Sequence, residues 1–284
     1  MTSTKAKVSS YPKTTIIISV YKDTEALGFI LDSLKNQTLL PDEIIVSEDG
    51  NSQEMDDFIA TQKNRFPHLL HLTQADEGWR KNRAMNNAIK AARHEYLVFI
   101  DGDCVPYTTF IQAHVENARK KIVLCGKRFE LGPTFTDKVK RHELKLADIE
   151  KNFLRYLPSM VKDDARHPED GLYFKSHKLI SRLIHRRYVR HIIGCNWSCY
   201  KEDFLTINGF DETYRLPAEG EDVDPSWRFR GMGIELKSCR NNANIIHLYH
   251  PKRFSAIEGD VNKAIMEKHR AENAFVCKNG IVKI

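Results

Sequence analysis

The stretch that most constrains this chain is Tyr96–Asp103, which reads YLVFIDGD. Its first five residues are apolar or aromatic, a pattern that predicts a strand buried on both faces. The run ends in Asp101 and Asp103, whose one-residue spacing lets the two carboxylates share one side of the chain. Gly102 between them lets the backbone turn without steric cost. We therefore expect two carboxylates at the carboxyl end of a strand, which is the edge where open α/β sheets bind ligands.

Two carboxylates this close repel each other unless a cation lies between them. Hard oxygen ligands of this kind suit Mg²⁺ or Mn²⁺, and such an ion would in turn bind a diphosphate. The alternative is an acidic loop that simply follows a core strand. A DxD tripeptide alone favours that alternative, so the interpretation depends on the neighbouring segments.

The first hundred residues alternate between short apolar runs and amphipathic segments. Predicted strands begin near Thr15, Glu43, Leu69 and Tyr96, and the clearest helical pattern between them is Glu25–Asn36. This alternation predicts an α/β fold with a mostly parallel central sheet flanked by helices. The turn after the first strand reads SVYKD rather than GxGxxG, which argues against NAD or FAD as a cofactor.

The end segments and one internal stretch depart from this alternation. The internal stretch is dense in Lys, Arg and His, so we interpret it as a helical basic insertion within a single domain over residues 14–255. The predicted parts are a flexible leader at 1–13, a nucleotide-binding half at 14–130, the insertion at about 134–191, an acceptor and catalytic half at 192–255, and a helical tail at 256–284.

Composition narrows the class of protein. No run approaches the roughly 18 apolar residues of a membrane span, and the polar start MTSTKAKVSSYPK has no signal-peptide core, so we expect a cytoplasmic protein. The six cysteines are scattered without CxxC spacing, which favours buried free thiols over disulfides or a zinc site. The net charge of +6 is unevenly distributed, and we expect no nucleic-acid partner.

The basic segment Lys175–His191 holds six Lys or Arg residues and no acidic residue. Four apolar residues recur in it at helical spacing, which is typical of a helix that lies on a membrane surface. We expect this segment to contact an acceptor or to make peripheral contact with the inner face of a membrane. A solvated lid over the site is the alternative.

Several motifs together resemble the inverting glycosyltransferases of family 2, which have the GT-A (Rossmann-like) fold. They lie within residues 14–250 and read, in order, IIISVYK, VSEDG, GWRKNRAMNNAI, FIDGD, GCNWS, GFDE and GEDVD. Each motif alone is weak, whereas their order and spacing make the set strong. The late sequences GEDVDPSWRFRGMG and IIHLYHP are also similar to the catalytic half of galactosyltransferases and of bacterial chondroitin-type polymerases.

The resemblance implies a site for a nucleotide-sugar donor. Asp49 matches the carboxylate that hydrogen-bonds the uracil edge, although an aspartate before Gly50 is also typical of a turn. Glu48 departs from the family pattern, which more often has Asp, so its role stays open. Basic residues at a helix start favour a diphosphate. The predicted donor-binding residues are Ser19, Val20, Tyr21, Asp49, Arg80, Arg83, Asp101, Gly102 and Asp103.

The same resemblance implies a metal cofactor, Mn²⁺ or Mg²⁺. Asp103 matches the metal-coordinating aspartate, and Asp101 lies nearer the ribose or reaches the metal through water. His247 matches a metal-binding histidine of the galactosyltransferases, and imidazole suits Mn²⁺ better than Mg²⁺. His250 is a rival three residues on, and a hydrogen-bonded histidine at a strand end is a further alternative.

Inverting transfer needs a base that deprotonates an acceptor hydroxyl. By resemblance Asp222 is that base, and Glu221 is its catalytic partner that binds the acceptor. Acidic residues also favour the first turn of a helix, so a capping cluster is the alternative. Asn196 and Trp197 could contact the acceptor or the donor sugar, while a buried core Trp is equally consistent with the sequence.

These features predict a metal-dependent, inverting hexosyltransferase. It would move a sugar from a nucleotide diphosphate, UDP by resemblance, to a glycan or lipid-linked glycan in surface polysaccharide synthesis. A sugar-1-phosphate nucleotidyltransferase has a similar strand pattern, but SVYKD lacks the glycine- and arginine-rich phosphate loop it would need. The intact Asp101, Asp103 and Asp222 argue against a third alternative, a non-catalytic glycan-binding domain.

Overall fold

The structure is a computed structural model, and it describes residues 11–175, 183–184, 186–218, 220, 222–251 and 256–284. Its amino-terminal elements are β1 (Thr14–Val20), α1 (Thr24–Lys35), β2 (Glu43–Glu48), α2 (Gln53–Gln62), β3 (Leu69–Leu72), α3 (Lys81–Ala91) and β4 (Tyr96–Asp101). The middle of the chain forms β5 (Cys104–Pro106), α4 (Phe110–Glu116), β6 (Ile122–Cys125), β7 (Phe129–Glu130), α5 (Pro133–Lys140), α6 (Leu146–Lys151) and α7 (Phe153–Lys162). The remaining elements are β8 (Trp197–Tyr200), α8 (Lys201–Thr206), α9 (Asp224–Gly231), β9 (Glu235–Ser238), β10 (Ile245–His247) and α10 (Ala256–Ala271).

The larger sheet has seven strands in the order β3-β2-β1-β4-β8-β6-β9. The first four run parallel to one another, and β6 runs parallel to β9. Only β8 is antiparallel to its neighbours in this sheet. The predicted α/β class with a mostly parallel sheet is therefore confirmed.

A smaller sheet, in the order β5-β10-β7, begins where β4 ends. Only Gly102 and Asp103 separate β4 from β5. The strand β10 pairs antiparallel with β5, and this register places His247 opposite Cys104. The second sheet therefore carries late residues of the chain to the carboxyl end of β4.

Alternate residues of the central strands enter two hydrophobic clusters, one on each face of the sheet. Tyr96, Val98 and Ile100 of β4 belong to the first cluster, together with the apolar face of α1. Leu97 and Phe99 belong to the second, together with apolar residues of α3, α8 and α9. This two-sided burial explains why the strand is a continuous apolar run in the sequence.

The insertion is part of the main core. The sequence pattern of residues 137–157 predicts one helical region in the insertion, whereas the structure has three short helices, α5 to α7. These helices supply buried apolar side chains to the first hydrophobic cluster. These side chains are Phe135, Val139, Ile149, Phe153 and Met160. The basic segment Lys175–His191 falls partly on residues 176–182 and 185, which lie outside the described residues. The predicted leader likewise lies outside them as far as residue 10.

The predicted tail packs on the domain. In α10, His269 Nδ1 lies 3.6 Å from Asp211 Oδ2 and 4.0 Å from Asp224 Oδ1, at the start of α9. Asp224 is buried and accepts a 2.6 Å hydrogen bond from Arg228 Nε. The hydrogen bond with Asp224 raises the pKa of His269 above its ordinary value, whereas partial burial opposes this effect.

Two further sequence predictions can be compared with the structure. All six cysteines are buried and free, as predicted. The apolar run Ile192–Tyr200 predicts one strand, but only Trp197–Tyr200 pairs with the sheet, so that prediction was too long. Before it, Ile192 N donates to Ser226 of α9 and Gly194 N donates to Asp222 just before that helix. In the described part of the chain, no helix is long and apolar enough to cross a bilayer.

Candidate active site

Gly102 brings the DGD turn against the end of β1. A Cβ atom at this position would lie 2.8 Å from the backbone oxygen of Ser19 and 2.9 Å from Val20 Cγ1. These separations are shorter than van der Waals contact, so a larger residue would push the strands apart. The φ angle of Gly102 is not positive, so its role is close approach, where we had expected it to ease a turn. The result is that Asp101 and Asp103 flank the end of β1.

Asp101 faces the first residue of α3. Its Oδ1 accepts a 2.8 Å hydrogen bond from Lys81 Nζ, and both side chains are partly exposed. The charge of Lys81 therefore offsets that of Asp101 at this edge of the sheet. The sequence predicted a metal or ribose contact for Asp101, and the structure adds this ion pair.

Asp103 points to two histidines from the other end of the chain. Its Oδ1 lies 3.5 Å from His247 Nε2, and its Oδ2 lies 3.2 Å from His250 Nε2. These three residues offer ligand atoms that all lie within 4.8 Å of one another. The backbone bond from Leu248 N to Asp103 O, 2.9 Å long, fixes β10 beside the turn. Both rival histidines thus reach the same carboxylate.

The donor set of this group fits a divalent transition metal. One carboxylate and two imidazoles suit Mn²⁺ better than Mg²⁺, which prefers oxygen ligands. Burial lowers the pKa of His247 below its ordinary value, although the Asp103 carboxylate acts in the opposite direction. A neutral imidazole is the form that binds a metal. Asp103, His247 and His250 could therefore hold a metal ion, and we refer to these three candidate ligands below as the metal-binding group.

Asp222 lies two residues before α9 and close to Lys81. Its Oδ2 accepts a 3.2 Å hydrogen bond from the backbone N–H of Gly194. A Cβ atom at Gly194 would lie 3.7 Å from both Asp222 Oδ2 and Lys81 Nζ. The predicted base therefore shares a corner with the Lys81–Asp101 pair. Its predicted partner, Glu221, lies outside the described residues.

Asp49 anchors the loop that leads into α3. Its carboxylate accepts hydrogen bonds of 2.7 Å from Gln74 Nε2 and from the backbone N–H of Arg80. Its own N–H donates to the Val20 oxygen at 3.0 Å. Burial raises the pKa of Asp49 above its ordinary value, although these hydrogen bonds oppose it. The end of β1, the end of β2 and the start of α3 therefore meet at one place.

The other predicted donor-binding residues surround this place. Ser19 is half-buried and pairs in register with Asp101, while Tyr21 is exposed and donates to Asp76 at 3.3 Å. Arg80 and Arg83 line a small cavity of about 90 Å³. The structure thus gathers the predicted donor-binding set along the carboxyl ends of β1, β2 and β4.

Glu48 has a structural role that the sequence left open. It is fully buried, and its Oε1 accepts hydrogen bonds from the Ser52 N–H and hydroxyl at 3.1 and 2.8 Å. Its Oε2 lies 3.0 Å from His71 Nε2. Glu48 therefore connects the loop before α2 to β3.

The structure corrects the predicted acceptor contacts of Asn196 and Trp197. Trp197 is 1% exposed and stacks on Phe99 at a centroid distance of 4.0 Å. Asn196 is fully buried and donates to the backbone oxygens of Lys127 and Ala243 at 2.7 and 2.8 Å. Since both side chains are enclosed by protein, they offer no surface to a sugar.

Sequence reasoning missed three residues of the site. Lys81 contacts Asp101, Gln74 contacts Asp49, and Gly194 contacts Asp222. From the sequence, Lys81 is equally consistent with a solvated basic face. Its position beside Arg80 and Arg83, which were predicted to bind the donor at the same helix start, is the sequence feature that could have identified it.

The sequence profile described as glycosyl transferase family 2 matches residues 15–188, which is more than half of the chain. The chain belongs to glycosyl transferase family 2. A second profile, described as the N-terminal domain of galactosyltransferase, matches residues 176–251 and so includes Asp222, His247 and His250. The two matches together cover the whole candidate site.

Relatives in this family agree with the assignment. The chain is 32% identical over 118 residues to an uncharacterized glycosyltransferase, EpsJ, of Bacillus subtilis, which is 40% of this chain and 34% of that protein. It is 26% identical over 102 residues to chondroitin synthase of Escherichia coli, which is 36% of this chain and 15% of that protein. The matched region thus spans about a third or less of these relatives.

A solved structure shows the same fold. GalNAc-T7 with UDP, GalNAc and Mn²⁺ superposes with a TM-score of 0.61 at 11% identity, covering 92% of this chain and 48% of that one. The family 2 chain described here therefore has the GT-A fold that its motifs predicted.

Proposed function

We propose that this protein is a metal-dependent, inverting hexosyltransferase. It takes a sugar from a nucleotide-diphosphate donor and transfers it to a glycan or lipid-linked glycan in surface polysaccharide synthesis. The resemblance of its motifs to family 2 favours a UDP-sugar as the donor. The observation that carries the proposal is the arrangement around Gly102. Asp103, directly after this residue, belongs to the metal-binding group, and Asp101, directly before it, pairs with Lys81 in the corner that contains Asp222.

The donor would lie across the carboxyl ends of β1, β2 and β4. Asp49 would bind the uracil edge there, and Arg80 and Arg83 at the start of α3 would bind the diphosphate. Guanidinium groups and a helix start both favour anions. Support comes from the relatives, which are glycosyltransferases, and from the solved neighbour, which holds UDP and Mn²⁺.

Asp103, His247 and His250 would hold the metal. When bound, a divalent ion at such a site neutralises negative charge that develops on a diphosphate leaving group. Lys81 neutralises Asp101 through their 2.8 Å ion pair. The second carboxylate of the DGD turn therefore adds no net negative charge beside the diphosphate.

Asp222 would act as the general base. The Gly194 N–H holds Oδ2 and so orients the carboxylate, which can accept the proton of an acceptor hydroxyl at Oδ1. Deprotonation from the side opposite the leaving group makes the acceptor oxygen a nucleophile for displacement with inversion. Glu221, the next residue along the chain, is proposed to bind the acceptor.

Use of a nucleotide-sugar donor is consistent with a cytoplasmic protein, and the basic segment Lys175–His191 would contact the acceptor. The experiment that tests the reaction is mass spectrometry of the protein incubated with Mn²⁺, a mixture of UDP- and GDP-sugars and a mixture of glycan acceptors, with a parallel incubation that contains UTP and sugar 1-phosphates instead. Release of the nucleoside diphosphate together with sugar transfer supports the proposal. Formation of a nucleotide sugar from a sugar 1-phosphate, or no turnover of any donor, would contradict it.

A further inference from the structure

A second concave surface lies at the edge of the larger sheet, beside β9. It has a volume of about 600 Å³ and is lined by residues 186–189, by Arg230 and by residues 233–237. We call this surface the basic groove. Because β9 is the last strand in the sheet order, the groove lies beside a sheet edge and apart from the metal-binding group.

The basic groove carries an excess of positive charge. Arg186, Arg187, Arg230 and Lys237 line it, and Glu235, the acidic residue among its lining residues, pairs with Lys237 at 2.5 Å. Arg187 donates at 2.8 Å to the neutral Asn241 Oδ1, and Arg230 donates to two backbone carbonyls, so these contacts orient the guanidinium groups without cancelling their charge. A concave surface of one sign concentrates ions of the opposite sign.

The same surface offers aromatic as well as ionic contacts. Tyr188 is 85% exposed, so its ring is open to a ligand. Guanidinium groups bind carboxylates and phosphates through paired hydrogen bonds. An extended chain that carries both rings and anionic groups is the ligand that uses both kinds of contact. A bilayer is flat and would meet protruding residues more readily than a groove.

The groove is connected to the candidate base by a ladder of hydrogen bonds along α9. Arg230 donates to the carbonyls of Val189 and Arg190, and Ser226 Oγ accepts from Ile192 N at 2.8 Å. Four residues before Ser226, Asp222 Oδ2 accepts from Gly194 N at 3.2 Å. Residues spaced by four lie on one helix face.

This ladder sets the distance between groove and base. Within α9, the four residues from Ser226 to Arg230 span about 6 Å at 1.5 Å of rise per residue, and Asp222 lies four residues earlier in the chain, just before the helix. Residues 189–194 follow that path and join the groove to the corner with Lys81 and Asp101. A bound chain of several sugars can therefore reach from one to the other.

We propose that the basic groove binds the acceptor, and that this acceptor is an acidic glycan whose reacting end lies at Asp222. Carboxylate or phosphate groups along the glycan pair with Arg186 and Arg187, and a sugar ring packs on Tyr188. The proposal rests on the proposed transferase reaction and adds to it the chemical class of the acceptor.

The test measures binding without turnover. A fluorescent hyaluronan octasaccharide, a carboxylate-bearing glycan, is titrated with the full chain, and neutral maltooctaose serves as the comparison. In the variant Arg186→Gln/Arg187→Gln the dissociation constant for the acidic octasaccharide should rise about tenfold, since exposed charge pairs each contribute modestly. The matched control, Lys63→Gln/Lys151→Gln, removes the same charge from two exposed lysines and should bind as the wild type does.

Two further measurements separate the alternatives. UDP binding in the presence of Mn²⁺ should be unchanged in the groove variant, which shows that the fold and donor site are intact. Equal binding of maltooctaose, an unchanged dissociation constant in the groove variant, or no octasaccharide binding would overturn the proposal. Groove-dependent binding to anionic phosphatidylglycerol vesicles in place of the octasaccharide would also overturn it. Since donor turnover is not needed, failure here leaves the proposed reaction to its own test.

Discussion

Removing either histidine of the metal-binding group should weaken Mn²⁺ activation. The sequence suggested that His247→Ala would do so and that His250→Ala would not. The structure changes this expectation, because His250 Nε2 lies 3.2 Å from Asp103 and His247 Nε2 lies 3.5 Å from it. We now expect both variants to lose a ligand.

The expected magnitude follows from the number of ligands. Loss of a partner in the outer shell of a metal site typically costs about 10–100-fold in metal affinity. Each variant here loses one of three protein ligands, so we expect the Mn²⁺ concentration for half-maximal activity to rise by about 100-fold. UDP affinity measured with Mn²⁺ should weaken as well, because the diphosphate and the protein would share the ion.

The assay titrates Mn²⁺ against donor turnover and, separately, against UDP binding by calorimetry. His167→Ala is a matched control, since His167 belongs to a second group that could hold a metal, with Glu169 and Asp170. Arg240 already pairs with both of those carboxylates, so this variant should behave as the wild type does. An unchanged half-saturation in His250→Ala would refute the three-ligand group, and an unchanged value in His247→Ala would refute the assignment as a whole.

Three other predictions concern the base, the turn and the tail. Asp222→Asn should keep UDP binding but lower turnover by about 10²–10⁴-fold, the usual contribution of a general base, and near-normal steady-state rates would remove it from the mechanism. Gly102→Ala should lower the free energy of unfolding by about 1–3 kcal/mol, and so lower the Tm, because the added methyl group overpacks against β1. The control Gly259→Ala, where a Cβ meets nothing within 4 Å, should not lower the Tm, and equal Tm values of the two variants by calorimetry would contradict the close-approach argument. His269→Asn should lower the Tm most below about pH 6.5. A histidine whose pKa is raised in the folded state contributes stability that is lost as the pH rises through that pKa. If the Tm difference between variant and wild type does not shrink between pH 6 and 8.5, the contact with Asp224 is not ionic.

Much of the amino-terminal half could be predicted from local sequence. The run Tyr96–Asp101 is buried on both faces, so nearly every residue in it is apolar, and that pattern is legible without a partner strand. Asp23 and Thr24 are both residue types that cap helices, and the side chain of Asp23 accepts a hydrogen bond from Ala26 N at 2.9 Å. Such signals lie within a few residues of one another, so the sequence alone determined these elements and the position of the DGD turn.

Trp197 shows where local pattern stops being sufficient. An aromatic residue in a short apolar run fits a core strand and a sugar-binding surface equally well. The choice was made by the pairing of β8 with β4, which places Trp197 opposite Phe99. Asn196, the preceding residue, is also buried, and the backbone carbonyls of Lys127 and Ala243 accept hydrogen bonds from its amide group.

The sequence by itself determined the α/β alternation, the two aspartates at the end of β4 and the acidic residues before α9. Tertiary structure decided which groups meet them. His247 and His250 come about 140 residues after Asp103 in the chain, and the pairing of β10 with β5 brings them to it. Lys81 reaches Asp101 because α3 starts at the same sheet edge. The physical reason is that periodicity and capping report on neighbours along the chain, whereas strand register sets contacts between distant segments.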